Sequence, residues 1–579
     1  MAMATEAPTL FPSWLHGQSP LKDADAREVL ERLKASRLLV ITGPAGSGKT
    51  PVAHAAALRS QDGSCWIDLS GLAQPHLVLH EIAQALGVRE IPQKPLMQLL
   101  RSFLRPSRML LVLDGCDGLD DACAMLAEDL LAACPELKIL LTSRHAPARL
   151  SDSEYQVAPP VSEDSPASRV KAGIQRLEAK AALLLSRLAV FPGTFSAEEA
   201  AEVAAVGDLT TSEVPALLSE LERHQLLRRM EDSPAVRHAL PEPVRAEVRA
   251  ALSPTEATTL EERLFQAALH WAELARSEMA QAKVEVGLQR ARATRASWRW
   301  ALAWASARPH SEQGLRLVAA LSPYWKRVGQ LEEGLGWARP LLARAKDAPL
   351  PVQAAALDGV GTLLVSAEKL EEARQLHEQA LTLYRTLGDK IGQARTLNHL
   401  GVLAHDLGIF TPSEYERAAA YHEEAIALWR ELDNLRELMR ALNNRGVVAH
   451  DLHDYNRAFE VYREHIALAM ELGDLREAGT SLSNMGLIFL EMGRAERARS
   501  LFESSLKLFR DLGIQELVVV ALNNLASAFE RLGDTPRAEA LLEEARQLTE
   551  KAGPRWGEAI PQVVEPESPA FRRVDVVQE

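Results

Sequence analysis

The sequence predicts a multidomain chain in which an α/β domain with a parallel sheet is followed by a long all-α region. Three observations predict it. Short apolar segments alternate with helical ones up to about residue 160. Beyond them, a strong strand pattern returns only near residues 225–240, and from residue 350 a helical repeat begins. Because 579 residues are too many for one hydrophobic core, several domains are expected.

The strand candidates of the first domain are nearly all apolar, which is typical of a parallel sheet covered by helices on both faces. A helix-like run from Asp23 to Ala35 precedes them, and a polar joint with prolines follows at 159–168. The predicted strands are 38–42, 65–69, 109–114, 138–142 and 155–158.

Composition narrows the classes of function. The net charge of −14 and the pI of about 5.7 argue against broad binding of nucleic acids or anionic membranes. The four cysteines form no CxxC pair, so neither a zinc site nor a disulfide framework is predicted. We find no signal-peptide pattern and no uncharged apolar stretch of membrane length, so a cytoplasmic location is expected.

The middle of the chain is helical and rich in Ala, Leu, Glu and Arg. Residues 180–250 add a short possible hairpin, 226–230 with 236–240, and this combination predicts a winged-helix unit. Residues 255–345 carry six tryptophans, which we interpret as core rather than as a ligand cage.

An internal repeat of about 40 residues runs from residue 350. Each unit has a small anchor residue, with a leucine four positions earlier and an alanine twelve positions later, or seventeen in the second unit. One helical hairpin cannot bury its own apolar face, so the units are expected to stack into a solenoid. Strings such as Leu387-Gly388-Asp389 are typical of the turns between them. The anchors are Gly361, Gly401, Gly446, Gly486 and Ala526.

The segment Gly43-Pro44-Ala45-Gly46-Ser47-Gly48-Lys49-Thr50 has the spacing of a phosphate-binding loop (P-loop) and lies between a predicted strand and a predicted helix. Its glycines allow backbone N–H groups to surround phosphates, and the helix N-terminus adds partial positive charge. We expect Lys49 to reach the β- and γ-phosphates and Thr50 to hold Mg²⁺ through its hydroxyl. The segment therefore predicts a site for ATP or ADP with Mg²⁺.

Two other predicted strands end in residues suited to the same site. Asp114 ends one of them and is expected to bind Mg²⁺. Gly115 follows it instead of a second acid, so Asp117 is the nearest carboxylate that could orient water; the alternative is a helix N-cap or a solvated turn. Arg144 follows another strand, at the edge where parallel sheets bind ligands, and is predicted to sense a γ-phosphate. The alternative for Arg144 is a surface ion pair.

These segments resemble the STAND class (AP-ATPase or NB-ARC-like) of signal-transduction ATPases, in particular its bacterial regulators with C-terminal tetratricopeptide (TPR) repeats. The resemblance spans roughly residues 15–550 and includes the domain order. In that family ADP holds a closed form, and an inducer on the repeats permits exchange for ATP and assembly. The resemblance therefore implies a slow ATPase switch that forms homo-oligomers. The strings that carry it, besides the P-loop, are Leu111–Asp117, Cys134–Arg144 and Leu185–Phe195.

The chain departs from the family pattern at its middle. The helical lid with a Gly-Leu-Pro motif is not evident, and only about forty residues separate Arg144 from Leu185. The winged-helix region offers Arg237-His238 but no Met-His-Asp motif. A second hypothesis is therefore a repeat scaffold whose nucleotide domain does not switch. A third, a DNA-binding transcriptional regulator, rests on arginines at 228–249 that are interleaved with glutamates.

Asparagines precede the repeat anchors, on helices expected to line the concave groove of hairpin repeats. Amides stacked there would be able to donate and accept hydrogen bonds to an extended protein or peptide partner. The alternative is that they bond neighbouring helices. The predicted partner-binding residues are Asn398, Asn444, Asn484 and Asn524.

Together these features predict an α/β P-loop NTPase domain, a winged-helix domain and an all-α TPR solenoid. The predicted boundaries are 1–35 for an N-terminal lead and helix, 36–160 for the NTPase domain, 161–252 for a linker helix and winged helix, 253–347 for a helical connector, 348–552 for about five repeats, and 553–579 for a disordered tail.

Overall fold

The computed structural model describes residues 23–552 except 45, 70–71, 73, 89, 92–93, 158–165, 231–235, 281–282, 309–310 and 410. The predicted N-terminal lead and the predicted tail at 553–579 lie outside the described residues. The chain divides into two compact units, Met1–Lys369 and Leu370–Glu579.

The first unit begins with a five-stranded sheet in the order β2-β3-β4-β1-β5. Every pairing in it is parallel, which confirms the predicted α/β fold. The strands are β1 Leu38–Thr42, β2 Gly63–Asp68, β3 Met109–Asp114, β4 Leu137–Ser143 and β5 Glu154–Gln156, and the helices are α1 Asp23–Ser36, α2 Lys49–Arg59, α3 Val78–Ala85, α4 Leu96–Leu104 and α5 Asp120–Ala133.

Side chains of this sheet alternate between two apolar layers, because successive residues of a strand point to opposite faces. In β1, Leu38 and Val40 pack with α3, α4 and α5, whereas Leu39 and Ile41 pack with α1 and α2. With both faces covered, the carboxyl edge of the sheet is left to carry polar residues. All four cysteines are free and buried.

A helical region with a two-stranded antiparallel hairpin follows. Arg237 in the hairpin donates to both carboxylate oxygens of Glu199 at 2.9 Å and to the Thr194 carbonyl oxygen at 2.8 Å, which fixes the hairpin to α8. The winged-helix interpretation of this region stays a prediction. The elements are α6 Pro166–Gln175, α7 Ala179–Leu188, α8 Ala197–Ala204, α9 Val214–Arg223, β6 Arg228–Met230, β7 Arg237–Ala239 and α10 Glu242–Ala251.

The first unit ends in a helical connector. Four of its tryptophans, Trp271, Trp298, Trp325 and Trp337, are buried, in agreement with their interpretation as core. The helices of the connector are α11 Pro254–Ala280, α12 Val284–Ala293, α13 Arg295–Ala307, α14 Ser311–Val328 and α15 Leu331–Leu342. The helix α16 Leu350–Ser366, which belongs to the first predicted repeat, follows them in the same unit.

A buried ion-pair network joins α3 of the sheet domain to α13 and α15 of the connector. Arg299 donates to both oxygens of Glu333, at 2.7 and 2.8 Å, and pairs with Glu81 on α3. Arg295 adds a second ion pair to Glu81 at 3.0 Å. Burial lowers the pKa of Arg299, but the two carboxylates outweigh this and hold the pKa above its usual range. The guanidinium therefore stays charged within the connector core.

The second unit contains helical hairpins in sequence, as the repeat predicts. The anchor glycines lie where the next helix presses an aromatic ring or imidazole against the backbone. A Cβ added at Gly446 would lie 2.5 Å from the Tyr462 ring, and one at Gly486 would lie 2.5 Å from the Phe502 ring. Only glycine allows this approach. The helices are α17 Leu370–Leu387, α18 Lys390–Gly408, α19 Ser413–Glu431, α20 Leu435–Asp451, α21 Tyr455–Glu471, α22 Leu475–Glu491, α23 Ala495–Leu512, α24 Gln515–Arg531 and α25 Thr535–Ala552.

The predicted turn strings end one helix and begin the next. Gly473, with φ of 72°, takes the left-handed conformation that follows α21. The side chain of Asp474 then accepts a hydrogen bond from the backbone N–H of Glu477 and caps α22. Among the described residues, no helix is both long enough and apolar enough to cross a membrane.

Candidate nucleotide-binding site

The P-loop connects β1 to α2, as predicted. Gly43, Gly46 and Gly48 have φ of 148°, 79° and 96°, a region of backbone conformation that favours glycine. A Cβ at Gly43 would also lie 2.8 Å from the Val157 carbonyl oxygen, so the loop cannot take a larger residue there without moving. Ala45 lies outside the described residues.

Lys49 begins α2 and turns back over the loop. Its Nζ donates to the carbonyl oxygens of Gly43 at 2.8 Å and Pro44 at 3.1 Å. Burial lowers the pKa of the Lys49 ammonium, whereas Asp117 and Asp114 raise it. The ammonium therefore lies within the electrostatic field of both predicted acids.

Asp114 lies at the centre of the polar network at the carboxyl edge of the sheet. Thr50 Oγ1 donates to its two carboxylate oxygens, at 3.0 and 3.1 Å, and Thr142 Oγ1 donates to Oδ1 at 2.6 Å. Thr142 in turn accepts from the N–H of Gly115 at 2.9 Å. Residues from α2, β3 and β4 thus meet at one carboxylate, and Thr142 is a member of the site to which the sequence had assigned no role.

Asp114 is 7% exposed, and burial raises the pKa of its carboxyl to about 6. The Asp68 carboxylate adds to the rise, while Thr142, Thr50 and the charge of Lys49 oppose it. Burial disfavours the ionised form of this carboxyl, and a cation bound beside it would stabilise that form.

Asp117 and Arg144 are brought together. Asp117 Oδ1 accepts from the backbone N–H of Arg144 at 2.6 Å and from Ser143 Oγ at 3.2 Å, and Arg144 Nε lies 3.3 Å from the same oxygen. The ion pair left open as the alternative for Arg144 is therefore present. The Asp117 carboxylate caps the end of β4, and its role with water stays a prediction.

Two charged residues near Asp114 were not assigned to this site from the sequence, although Arg228 was one of the arginines of the DNA-binding hypothesis. Asp68, at the end of β2, is paired in register with Asp114 on β3. Burial lowers the pKa of the Arg228 guanidinium on β6, and the Asp114 carboxylate opposes that shift. An acid at the end of an apolar strand is the signal that identified Asp114, and it could have found Asp68; Arg228 has no comparable signal.

The donor set fits a hydrated Mg²⁺ ion with a nucleotide. Magnesium prefers oxygen ligands, and it is usually held by one or two protein oxygens together with phosphate and water. The Thr50 hydroxyl and the Asp114 carboxylate already lie together, and the phosphate loop and Lys49 lie next to them. These residues would hold the ion, which would supply charge neutralisation to the phosphates.

The predicted partner-binding asparagines are mostly enclosed. Asn398, Asn484 and Asn524 are 7%, 0% and 6% exposed, and only Asn444 is partly exposed. Asn444 Nδ2 donates to Asn398 Oδ1 at 3.1 Å, and Asn524 Nδ2 donates to Ser483 Oγ at 3.0 Å. In these two pairs the amides therefore form hydrogen bonds between neighbouring helices, which was the alternative to partner binding. Contact of a partner with Asn484 or Asn524 would require the helices to separate.

His238, which follows Arg237 where the family would have its Met-His-Asp motif, makes its contacts within its own helical region. Its Nε2 lies 2.8 Å from a carboxylate oxygen of Glu222, and its backbone pairs with Phe195. Burial lowers the pKa of the imidazole.

Comparison with family models identifies both halves of the predicted architecture. Residues 32–146 match an AAA domain, and residues 353–387 and 477–551 match tetratricopeptide repeats. The matches confirm the P-loop domain and the TPR assignment.

Among curated proteins, one from Mycobacterium tuberculosis, named provisionally as an HTH-type transcriptional regulator, is 44% identical over 114 residues. That match covers 19% of this chain and 13% of the relative. An uncharacterised protein from the same organism is 32% identical over 146 residues, which are 24% of this chain and 36% of that protein. This chain therefore spans well under half of the curated relatives that it matches.

The solved structures to which this chain is similar include that of the STAND protein with a tetratricopeptide repeat sensor from Pyrococcus horikoshii. It covers 91% of this chain and 96% of its own, with 15% identity and a TM-score of 0.36. The P-loop geometry and the family matches agree, and they show that this chain has an AAA-type domain with a P-loop followed by tetratricopeptide repeats.

Proposed function

We propose that this protein is a nucleotide-dependent signalling switch, which binds ATP or ADP with Mg²⁺ at the P-loop and a protein or peptide partner on its repeats. The observation that carries the proposal is the meeting of Thr50, Lys49 and Asp114 at the carboxyl edge of the sheet. Each of these groups has a distinct task there: hydroxyl and carboxylate for the metal ion, ammonium for the phosphates.

Replacing Lys49 tests the nucleotide site. Lys49→Ala removes a charge-assisted contact of about 1.5–3 kcal/mol, which corresponds to a loss of about 10- to 150-fold in nucleotide affinity. Titration calorimetry with Mg-ADP measures it, and Lys94→Ala, an exposed lysine of the same domain, is the matched control. Circular dichroism should show unchanged helix content. Wild-type affinity in the Lys49 variant would refute the site.

Switching requires that ATP and ADP favour different states. We expect the mass measured by light scattering to differ between ADP and a non-hydrolysable ATP analogue, since the nucleotide would control assembly. Equal masses in both, with nucleotide bound, would favour a repeat scaffold whose nucleotide domain does not switch.

The partner surface is proposed from the repeats themselves. Asn444 is the one asparagine of the four that is partly exposed rather than buried, and its amide donates a hydrogen bond to Asn398 on the preceding repeat. It remains the candidate among them for contact with an extended peptide in this conformation.

Transcriptional control is the function that a curated relative's name suggests. Of the arginines behind that hypothesis, Arg228 and Arg229 are exposed, whereas Arg237 and Arg245 are engaged within the protein. Arg237 is 8% exposed and held by Glu199 and Thr194, and Arg245 donates to the Phe191 carbonyl oxygen. Guanidinium groups engaged in this way are not presented to phosphates.

A further inference from the structure

We propose that Asp68 is the catalytic carboxylate that orients the attacking water when this site hydrolyses ATP, in place of the second acid missing after Asp114. The inference rests on the proposed function, because that function supplies the bound nucleotide. It assigns a role to a residue of β2, a strand that contributes none of the predicted site residues.

The register of the sheet places Asp68 beside Asp114. β2 and β3 pair in parallel from Gly63 with Met109 to Asp68 with Asp114, so the two acids end adjacent strands at the same edge. The N–H of Leu69 donates to the Asp114 carbonyl oxygen at 2.8 Å and fixes the chain just past that pair. Neighbouring strands lie about 4.8 Å apart, which puts both side chains within reach of one water shell.

The positions that follow Asp114 in the turn before α5 have contacts within that turn and with β4. Gly115 occupies the position directly after Asp114 and has no side chain. Asp117 accepts bonds from the Arg144 N–H and the Ser143 hydroxyl. Asp120 pairs with the same hydroxyl and accepts from the Gly118 N–H at 3.1 Å. Both side chains serve the turn between β3 and α5 and the end of β4.

Asp114 and Asp68 differ in exposure, and this difference suits a metal-binding role for Asp114 and a water-orienting role for Asp68. Asp114 is buried and bonded to Thr50 and Thr142, as a residue that holds a metal ion should be, whereas the Asp68 residue is exposed to solvent. An exposed carboxylate next to the metal-binding acid is able to accept a hydrogen bond from water and to direct the water's lone pair.

The step balances with water and ATP alone. The water oxygen forms a bond to the γ-phosphorus, and the bond from that phosphorus to the bridging oxygen breaks with its electron pair leaving on ADP. The water proton passes to the transferred group, which departs as inorganic phosphate. Asp68 accepts the hydrogen bond that orients the water during this transfer.

Asp68→Asn tests the proposal, because asparagine keeps the size of the side chain and weakens it as an acceptor. We expect the single-turnover rate of ATP hydrolysis to fall about 10- to 100-fold, the range that follows from weakening a hydrogen bond to a charged acceptor. Mg-ADP affinity by calorimetry and the melting temperature should stay near the wild-type values. Asp68→Glu should restore part of the rate, and Asp121→Asn, an exposed acid in the first turn of α5, should leave it unchanged.

Three outcomes overturn the inference. The first is a rate within threefold of wild type in Asp68→Asn. The second is a parallel fall of rate, ADP affinity and melting temperature, which assigns Asp68 a structural role. The third is a wild-type chain that binds ADP but hydrolyses ATP no faster than Lys49→Ala, which leaves the nucleotide-binding proposal standing. A wild-type chain that binds no nucleotide overturns both proposals.

Discussion

Replacing Arg299 with methionine should destabilise the first unit by about 3–5 kcal/mol, the usual cost of breaking a buried ion pair by removing one partner. Glu333 is 0% exposed, and both its oxygens accept from Arg299. Among the described residues Glu333 has no other ion-pair partner, so the substitution leaves a buried carboxylate without compensation. Glu81 loses less, because Arg295 still pairs with it.

Urea unfolding followed by tryptophan fluorescence is a suitable assay. The Arg299 guanidinium carbon lies 5.5 Å from the Trp298 ring centroid, and Trp298 contacts Trp325 with ring centroids 5.9 Å apart, so these indoles report on the connector. Arg316→Met breaks an ion pair with Glu273 in which both side chains are 41% exposed, and this matched control should lose under about 1 kcal/mol.

A double variant separates the buried charge from simple loss of packing. Arg299→Met with Glu333→Gln removes both charges, and it should unfold at a higher urea concentration than Arg299→Met alone. The reasoning is refuted if Arg299→Met costs under about 1 kcal/mol, or if the second substitution recovers nothing.

Two further predictions concern the repeats. Gly446→Ala should cost about 1–3 kcal/mol in urea unfolding of the second unit, because the new Cβ would lie 2.5 Å from the Tyr462 ring; an unchanged midpoint would contradict the close packing. Burial lowers the pKa of His465 to about 4, with Asp474 opposing, whereas the unfolded chain titrates near pH 6.5. The unfolded state therefore binds the proton first, and the second unit should lose up to about 3 kcal/mol as pH falls from 6.5 to 4. This loss should shrink in His465→Gln, and an equal loss in that variant would assign it to other groups.

Local patterns predicted most of the fold. The apolar strands of the sheet are predicted within about two residues because each is a short run with both faces covered. The P-loop and Asp114 were identified because spacing along the chain determines their chemistry. The anchor glycines of the repeats were readable for the same reason, since at Gly401, Gly446 and Gly486 a side chain of the next helix packs against the same backbone position.

Features that depend on contacts between distant elements were not readable. Arg299 and Glu81 are separated by 218 positions in the chain, and neither has a neighbour in sequence that marks it as buried. The pairing of Asp68 with Asp114 required the strand order, which puts β2 beside β3. The exposure of the asparagines depended on how closely the first helices of successive repeats approach, and at Asn484 that approach removes all solvent.

The chain segment from β2 to α3 connects the strand pairing of Asp68 with Asp114 to the ion pair of Glu81 with Arg299. β2 ends in Asp68, beside the acid that anchors the candidate metal site, and α3 then carries Glu81 to Arg299 in the connector. Because β2 is hydrogen-bonded in register to β3, a displacement of the strand end changes the start of this segment. Because Glu81 is buried between two arginines, α3 cannot shift without disturbing the ion pairs. In the proposed switch, the chain segment from β2 to α3 thus connects the candidate metal site to the ion pairs between Glu81 and the helical connector.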